Sequence, residues 1–204
     1  MKKSFKILCL IVFVSLIISG CKIIEKDNDI SNNNSESSNN VSNQNNDAIK
    51  EFLTAGKLVS ESSAVGSGYP DGFYFLENNK FAYYKGDVEP TSEGEQISYR
   101  GTWRLDNSKL ILTIEEEEVV VGGSKSNVNG YEVLTNYEKK IQKVTKEKIY
   151  NITKVNQEDN CIELSSGKQL YNVSPDPAYL NILSTLANDG YDAYLKELEN
   201  FKQE

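Results

Sequence analysis

The chain of 204 residues contains no histidine, and this absence removes a large class of active sites. Without imidazole, histidine-based catalytic triads, histidine general bases and histidine-ligated zinc sites are all excluded. Cysteine is scarce as well, with three residues in the whole sequence. Neither a Gly-x-x-x-x-Gly-Lys-Ser/Thr phosphate loop nor a Gly-x-Gly-x-x-Gly turn occurs. We therefore predict a protein that is not an enzyme and that uses no cofactor and no metal.

Two polar patterns invite a catalytic or metal-binding interpretation, and each has a simpler one. Ser165 and Lys168 match the Ser-x-x-Lys spacing, but the Ser-Gly pair between them is typical of a hairpin turn. Residues 115–118 are four consecutive glutamates, and calcium needs several converging oxygens. On a strand these side chains alternate between faces, so we interpret the run as a solvated edge or loop. A carboxylate pair for glycoside hydrolysis stays open, although nothing singles out a pair.

The N-terminus lacks a hydrophobic run long enough to span a membrane, but it has the layout of an export signal. A short basic stretch, Met1–Lys6, precedes an apolar run over residues 7–18. This run is about twelve residues long, whereas a spanning helix needs ~20. Small residues and a cysteine follow it in the tetrad Ile18-Ser19-Gly20-Cys21.

The tetrad resembles the lipobox of bacterial lipoproteins, the recognition site of lipoprotein signal peptidase. This resemblance implies that residues 1–20 are a signal peptide, cleaved between Gly20 and Cys21. It also implies a diacylglyceryl group, with long acyl chains such as palmitate, on the Cys21 sulfur. Such a group would anchor the chain at the extracytoplasmic face of the cell membrane. The alternatives are a secretory signal that happens to end near a cysteine and an uncleaved N-terminal anchor.

Basic residues are too few to balance the acids. Removing the signal takes away three lysines and no acids, so the formal charge moves from −8 to −11. Phosphate backbones and anionic headgroups repel such a chain, which disfavours nucleic acid as a partner and leaves membrane attachment to the lipid. The composition, rich in Lys, Asn, Ile and Tyr and poor in Ala, Pro and Arg, resembles that of proteins from AT-rich Gram-positive bacteria such as clostridia. We therefore expect a cell-envelope protein that faces outward.

Cysteine usage leaves no intramolecular disulfide in the mature chain. Cys9 lies in the predicted signal, Cys21 is the predicted acylation site, and only Cys161 remains. Since Cys161 stands in the strand-like run Cys-Ile-Glu-Leu, we interpret it as a small buried residue rather than a reactive thiol.

An Asn/Ser-rich segment separates the predicted anchor from the folded part. Residues 21–46 contain few apolar side chains and cannot offset their ordering entropy, so we predict a disordered tether. As a flexible coil it would span roughly 30 Å. The folded domain is predicted over residues 47–204, opening with a short helix over residues 48–54 with Asp47 as its N-cap.

The folded part is predicted to be mainly β. Residues 72–76 and 80–85 read as an aromatic hairpin, and residues 96–105 alternate apolar and polar side chains before a partner strand from residue 109. The apolar face of residues 96–105 consists of Ile97, Tyr99, Gly101, Trp103 and Leu105. Further strands are predicted over residues 131–144, 148–155, 161–165 and 168–173. Short turns between them indicate an antiparallel meander that could close into a barrel.

Two helices are predicted at the C-terminus, within residues 175–204. Residues 178–187 and 191–201 carry leucine and tyrosine at helical spacing, with Asn-Asp-Gly between them. We expect them to cover one end of the barrel, and docking a partner is the alternative.

Three short motifs resemble the lipocalin-like domains of secreted bacterial lipoproteins. They are Asp-Gly-Phe-Tyr-Phe from residue 71, Gly-Thr-Trp-Arg-Leu from residue 101 and Lys-Leu-Ile-Leu-Thr from residue 109, and the resemblance covers residues 56–173. It implies a barrel whose interior holds a small apolar or amphipathic ligand. The candidate ligand-binding residues are Phe73, Phe75, Phe81, Tyr83, Tyr99 and Trp103. A barrel filled by its own side chains would instead favour a protein-interaction module of the envelope, such as an assembly factor or an inhibitor of a secreted enzyme.

Overall fold

A computed structural model describes residues 36–63, 70–86 and 88–201, with side chains described from residue 45 to residue 200 within these ranges. The predicted signal peptide and Cys21 lie outside the described residues. The elements, in chain order, are α1 (Glu36–Leu53), β1 (Leu58–Ser60), β2 (Gly72–Phe75), β3 (Lys80–Tyr84), β4 (Gln96–Asp106), β5 (Lys109–Val121), β6 (Ser124–Val128), β7 (Tyr131–Thr135), β8 (Glu138–Asn156), β9 (Cys161–Leu164), β10 (Gln169–Val173), α2 (Pro177–Asp189) and α3 (Tyr191–Phe201). None of the helices described is both long and apolar enough to cross a bilayer.

Eight strands form one antiparallel sheet, in the order β1-β10-β9-β8-β5-β4-β3-β2. Strand β1 pairs with β10 on one side and with β2 on the other. Strands β6 and β7 form a separate hairpin inserted between β5 and β8. The prediction of a mainly β domain with two C-terminal helices is confirmed.

The strands form where alternating side chains can bury one face. In β2 and β3, Phe73 and Phe75 face Tyr83 and Phe81 across the register and enter the interior. The turn between these strands places Asn79 at φ 63°, a left-handed conformation that asparagine tolerates well. The aromatic hairpin predicted from the sequence is therefore present, and its inward row forms the first layer of the core.

The alternation predicted for β4 holds over part of the strand only. Tyr99 and Trp103 are buried in the interior, and Leu105 packs against them. Ile97 belongs instead to a separate cluster with Val120 and Leu134. The reason is a register shift between Gln96 and Ser98, because one extra residue moves the following side chains to the other face.

Helix α1 corrects the predicted boundary between tether and domain. Residues 36–46, predicted as disordered, belong to a helix that runs on to Leu53. Asp47 accordingly lies inside this helix and not at its N-cap. The remainder of the predicted tether, residues 21–35, lies outside the described residues.

Contacts from distant parts of the chain explain why α1 extends upstream. Asn45 Nδ2 donates to Ser108 Oγ at 2.6 Å, and the Ser108 backbone N–H donates to Asn46 Oδ1 at 3.1 Å. Near the other end of the helix, Asn172 Nδ2 donates to the Phe52 carbonyl at 2.9 Å. The apolar residues that α1 buries in the interior are Ile49, Phe52 and Leu53. The helix therefore covers the end of the sheet that carries the β4–β5 turn, which we name the α1 end.

The C-terminal helices cover the outer face of the sheet, not an end as predicted. Helix α2 starts at an N-cap in which Asp176 accepts from the Ala178 N–H at 2.8 Å. Its apolar side packs with Leu58, Ala82 and Val173, which point away from the interior. The apolar stripes of α2 and α3 instead bury the outward apolar row of β1, β3 and β10, which would otherwise be exposed to water.

Strands β7 and β8 divide the chain differently from the prediction. The sequence predicts separate strands over residues 131–144 and 148–155, whereas β7 takes residues 131–135 and β8 runs without interruption through Glu138–Asn156. Its first part pairs with β5 and its last part with β9, with a register shift in each pairing. These irregularities interrupt the polar and apolar alternation, which is why the pattern reads as two elements.

Candidate functional site

The interior of the sheet is packed with aromatic rings. Phe75 contacts three of these rings, with ring centroids 5.7 Å from Phe73, 6.0 Å from Phe81 and 5.7 Å from Trp103. The Trp103 indole N–H donates to the Leu76 carbonyl at 3.1 Å, so its polar atom is satisfied at the α1 end. Offset and edge-to-face ring contacts of this kind add to the stabilisation from burial alone.

A cavity of about 170 Å³ opens at the other end of the aromatic layer. It lies where β1 ends and β2 begins, and we name this the pocket end. The lining residues are Val59, Ser60, Glu61, Asp71, Gly72, Phe73, Tyr83, Tyr99, Lys148 and Tyr150. Three of the six predicted ligand-binding residues, Phe73, Tyr83 and Tyr99, thus line the cavity. The other three, Phe75, Phe81 and Trp103, lie in the packed interior and are absent from its lining.

The rings around the cavity support one another. Tyr83 stacks on Tyr99 with centroids 4.5 Å apart, and Phe73 lies 4.9 Å from Tyr83. Tyr150 meets Phe73 edge-on at 5.9 Å from across the interior. The lining is therefore preformed, since each ring is held by at least one other.

Lys148 brings a positive charge to this aromatic lining. Its Nζ donates to the Tyr99 hydroxyl at 3.1 Å and to Gln96 Oε1 at 3.2 Å. The same Nζ lies 4.2 Å from the centroid of the Tyr99 ring, within the range of a cation–π interaction. Burial lowers the pKa of Lys148, an effect that Glu117 opposes and Lys146 reinforces.

Glu117 lies behind Lys148 and is fully buried. Its carboxylate accepts hydrogen bonds from Gln142 Nε2 at 2.7 Å, from Lys146 Nζ at 2.6 Å and from Gln96 Nε2. Burial by itself would raise the pKa of Glu117, but these three donors together bring it below its usual value. The carboxylate is therefore charged at neutral pH.

The solvated edge predicted for residues 115–118 is wrong for most of the run. Glu117 points into the interior, while Glu118 is buried on the outer face with the Ser98 hydroxyl at 3.2 Å. Glu116 accepts from Arg100 Nη1 at 2.7 Å, and only Glu115 is exposed. A register shift between residues 114 and 116 determines which face of the sheet each acid lies on. Glu116, Glu117 and Glu118 each accept a hydrogen bond from a different donor.

The tyrosines of the cavity are neutral at physiological pH. Burial raises the pKa of Tyr83 to about 12, and the nearby charge of Asp71 adds to that effect. Burial also raises the pKa of Tyr99 and of Tyr150. The cavity consequently offers apolar ring faces, neutral hydroxyl groups and one ammonium, with the exposed carboxylates of Glu61 and Asp71 at its rim, and this combination suits an amphipathic molecule.

Sequence reasoning missed the polar residues of this site. Gln96, Glu117 and Lys148 come from three strands, β4, β5 and β8, and meet only through the register of the sheet. Lys148 and Tyr150 are partly buried on one face of β8, but the apolar Ile149 between them is exposed, so the sequence shows no alternation that marks this face.

Other chemistry-bearing groups do not form a second centre. In the described part of the chain, no group of three or more acidic or cysteine side chains is placed to hold a metal ion. Cys161 is buried, as predicted, and burial together with Asp159 and Glu163 raises the pKa of its thiol. Another cavity of about 210 Å³ lies beside Ile97 and Tyr137, away from the aromatic interior.

Comparison with protein-family models, with curated proteins and with solved structures finds no match for this chain. The functional argument therefore starts from the residues of the pocket end themselves.

Proposed function

We propose that this chain is a membrane-anchored extracytoplasmic lipoprotein whose lipocalin-like barrel is non-catalytic and binds a small amphipathic ligand. The observation that carries the ligand proposal is the cavity at the pocket end, where stacked tyrosines surround one half-buried ammonium. Aromatic faces stabilise an apolar body, and the polar groups orient one end of it.

The size of the cavity limits the ligand. Pockets for drug-sized molecules enclose about 300–1,000 Å³, whereas a cavity of about 150 Å³ accommodates benzene. The 170 Å³ at the pocket end therefore fits a molecule of one ring or a short chain. Because Phe75, Phe81 and Trp103 fill the space behind it, the ligand would sit at the mouth and not deep in the barrel.

Tyrosine substitution tests the ligand proposal. Tyr83→Ala removes a lining ring, and we expect it to weaken binding of one-ring amphipathic probes such as benzyl alcohol at least tenfold. Tyr131→Ala is the matched control, because Tyr131 is 75% exposed on the β6–β7 hairpin. Equal affinity of both variants and the parent chain, measured by isothermal titration calorimetry, would place the ligand elsewhere.

The anchor rests on Cys21 and the residues before it. Mass spectrometry of the N-terminal peptide from cell membranes should find Cys21 as the first residue, carrying a diacylglyceryl group. The Cys21→Ser variant should leave the membrane fraction. A full-length N-terminus, or an unmodified Cys21, would contradict the anchor without bearing on the cavity.

A protein-interaction module is the second candidate, and the edge of β8 favours it. Within the part of the chain that the structure describes, residues 138–150 pair with β5 on one edge, and no strand pairs with their other edge. Free backbone groups along an edge accept a strand from another protein. Lys139, Lys140 and Lys143 are exposed there, which favours an acidic extended segment of an envelope protein.

Charge reversal separates this candidate from ligand binding. The variant Lys140→Glu/Lys143→Glu should lose the proteins that the parent chain captures from envelope extract, while its affinity for benzyl alcohol stays unchanged. Recovery of the same proteins by both chains, or of none above a control made of residues 21–35, would count against the interaction module.

A further inference from the structure

Among the described residues, Lys148 is the one cation in the lining of the cavity, and no carboxylate lies within salt-bridge distance of its ammonium, although Glu117 acts on it from farther away. Lys146 pairs with Glu117 at 2.6 Å, and Lys168 pairs with Glu61 at 2.8 Å across the exposed rim. The contacts of Lys148, in contrast, are the hydroxyl of Tyr99 and the amide oxygen of Gln96, which are both neutral. A positive charge in a partly buried site is costly unless an anion joins it.

The donor geometry leaves one direction open. An ammonium has three N–H groups, and the hydrogen bonds of Lys148 to Tyr99 and Gln96 use two of them. Gln96 cannot turn away, since its Nε2 donates to Glu117 and thereby fixes its Oε1 toward Lys148. Since Lys148 lines the cavity, an acceptor that enters the cavity can reach its ammonium beside the Tyr99 ring.

We infer that the ligand carries a compact anionic group, a carboxylate on a one-ring or short-chain body, which binds the Lys148 ammonium while the body packs on Phe73, Tyr83 and Tyr150. This inference rests on the proposed function, because it names the class of ligand for the same cavity. The two rim acids, Asp71 and Glu61, are exposed, and Glu61 is paired with Lys168, so water and salt screen their repulsion, whereas Lys148 is half-buried and less screened.

Charged and neutral probes of equal shape test the inference. We would titrate the mature lipidated chain in detergent micelles with benzoate and with benzamide, and with the pair hexanoate and hexanamide, by isothermal titration calorimetry. The expected result is at least tenfold tighter binding of each carboxylate than of its amide. In Lys148→Met this preference should vanish, through weaker carboxylate binding and with amide binding changed less than twofold.

Lys154→Met is the matched control, because Lys154 lies on the same strand with 60% of its side chain exposed. It should keep the full preference for carboxylates. If Lys148→Met does not fold, as judged by circular dichroism, Lys148→Gln serves in its place, since it keeps a polar end beside Tyr99.

The outcomes distinguish the inference from the proposed function. Equal binding of carboxylates and amides to the parent chain would overturn the anionic ligand and leave a neutral amphipathic ligand standing. A preference that survives in Lys148→Met would overturn Lys148 as the group that binds the anion. Failure of all four probes to bind would overturn the cavity as a ligand site and with it the proposed function.

Discussion

At the scale of single residues, Glu117 shows how one buried charge is made tolerable. Removing a carboxylate from water is costly, and the protein offsets the cost with donors from Gln96, Gln142 and Lys146. Lys146 stays half exposed, so its own desolvation is small. The buried acid is thus a structural support for the pocket end, and it keeps Gln96 in place beside Lys148.

Replacing this acid should lower stability and change its dependence on pH. Glu117→Gln removes the charge and turns one acceptor into a donor that faces other donors, at an expected cost of about 1–3 kcal/mol. The folded pKa of Glu117 lies below its usual value of 4.5, so the unfolded chain binds more protons between the two values. Stability from this group is therefore complete above 4.5 and is lost as the pH falls through the folded pKa.

Urea unfolding between pH 3 and pH 7 measures this effect. The loss of stability at acid pH should be smaller in Glu117→Gln than in the parent chain. Part of the loss should remain, because the folded pKa of Glu95 is also lowered. Glu115→Gln is the control from the same run, since Glu115 is exposed, and it should follow the parent curve. If Glu117→Gln loses as much stability at acid pH as the parent chain, the account of this carboxylate is contradicted.

Gly101 is required for a different reason, the close approach of two backbones. A Cβ atom at this position would lie 1.9 Å from the carbonyl oxygen of Thr113, so β4 and β5 would have to separate. Gly101→Ala should therefore cost about 3 kcal/mol or more. At Gly122, φ is 67° with open space around the Cβ position, and Gly122→Ala should cost only about 1–2 kcal/mol.

The same urea experiment compares the two alanine variants. If Gly101→Ala is no less stable than Gly122→Ala, the tight contact between the strands is not what selects glycine at the start of the Gly-Thr-Trp motif.

At the scale of elements, helix α1 determines where the folded domain starts. A chain that begins at residue 47 loses the Asn45 and Asn46 contacts to Ser108, and it should be about 1–3 kcal/mol less stable than a chain that begins at residue 36. Equal unfolding midpoints for the two chains would show that residues 36–46 add nothing to the domain.

The buried side of α1 should matter more than its length. Leu53 is fully buried in the interior cluster, so Leu53→Ala should cost about 2–5 kcal/mol. Lys50 is exposed on the same helix, and Lys50→Ala should stay within about 0.5 kcal/mol of the parent. Thermal unfolding followed by circular dichroism makes the comparison, and similar losses in both variants would contradict the role of α1 as a cover of the interior.

The elements that could be predicted from sequence are those whose pattern depends on neighbours along the chain. The hairpin of Phe73 and Phe81 and the two C-terminal helices show their periodicity within a few residues, and they are present. Helix α1 could not be predicted upstream of residue 47, because its polar residues are held by Ser108, far along the chain. The position of Ile97 likewise depends on a bulge that leaves no local signal.

The candidate site was predictable in its apolar half only. Aromatic runs identified Phe73, Tyr83 and Tyr99, because ring-rich strands that alternate must bury one row. Lys148 and Glu117 could not be singled out among 22 basic and 30 acidic residues, since their contacts arise when β4, β5 and β8 come into register. Their partners, not their residue types, give them a role.

At the scale of the whole molecule, the fold separates two ends and two faces. Helix α1 covers one end, and the small cavity with Lys148 lies at the other. Helices α2 and α3 cover the outer face next to β3, whereas the long strand β8 leaves an edge accessible in the described structure. The proposed lipid anchor at Cys21 would hold this domain at the membrane surface, and the pocket end would bind the ligand.

The most direct test of ligand binding is native mass spectrometry of the mature chain purified from its own envelope, with solvent extraction of whatever accompanies it. The account predicts a discrete added mass of a small molecule, carried by the parent chain and by Tyr131→Ala and reduced in Tyr83→Ala. A bare protein mass, with an extract indistinguishable from buffer, would contradict ligand binding and favour the edge of β8 as a protein-binding surface.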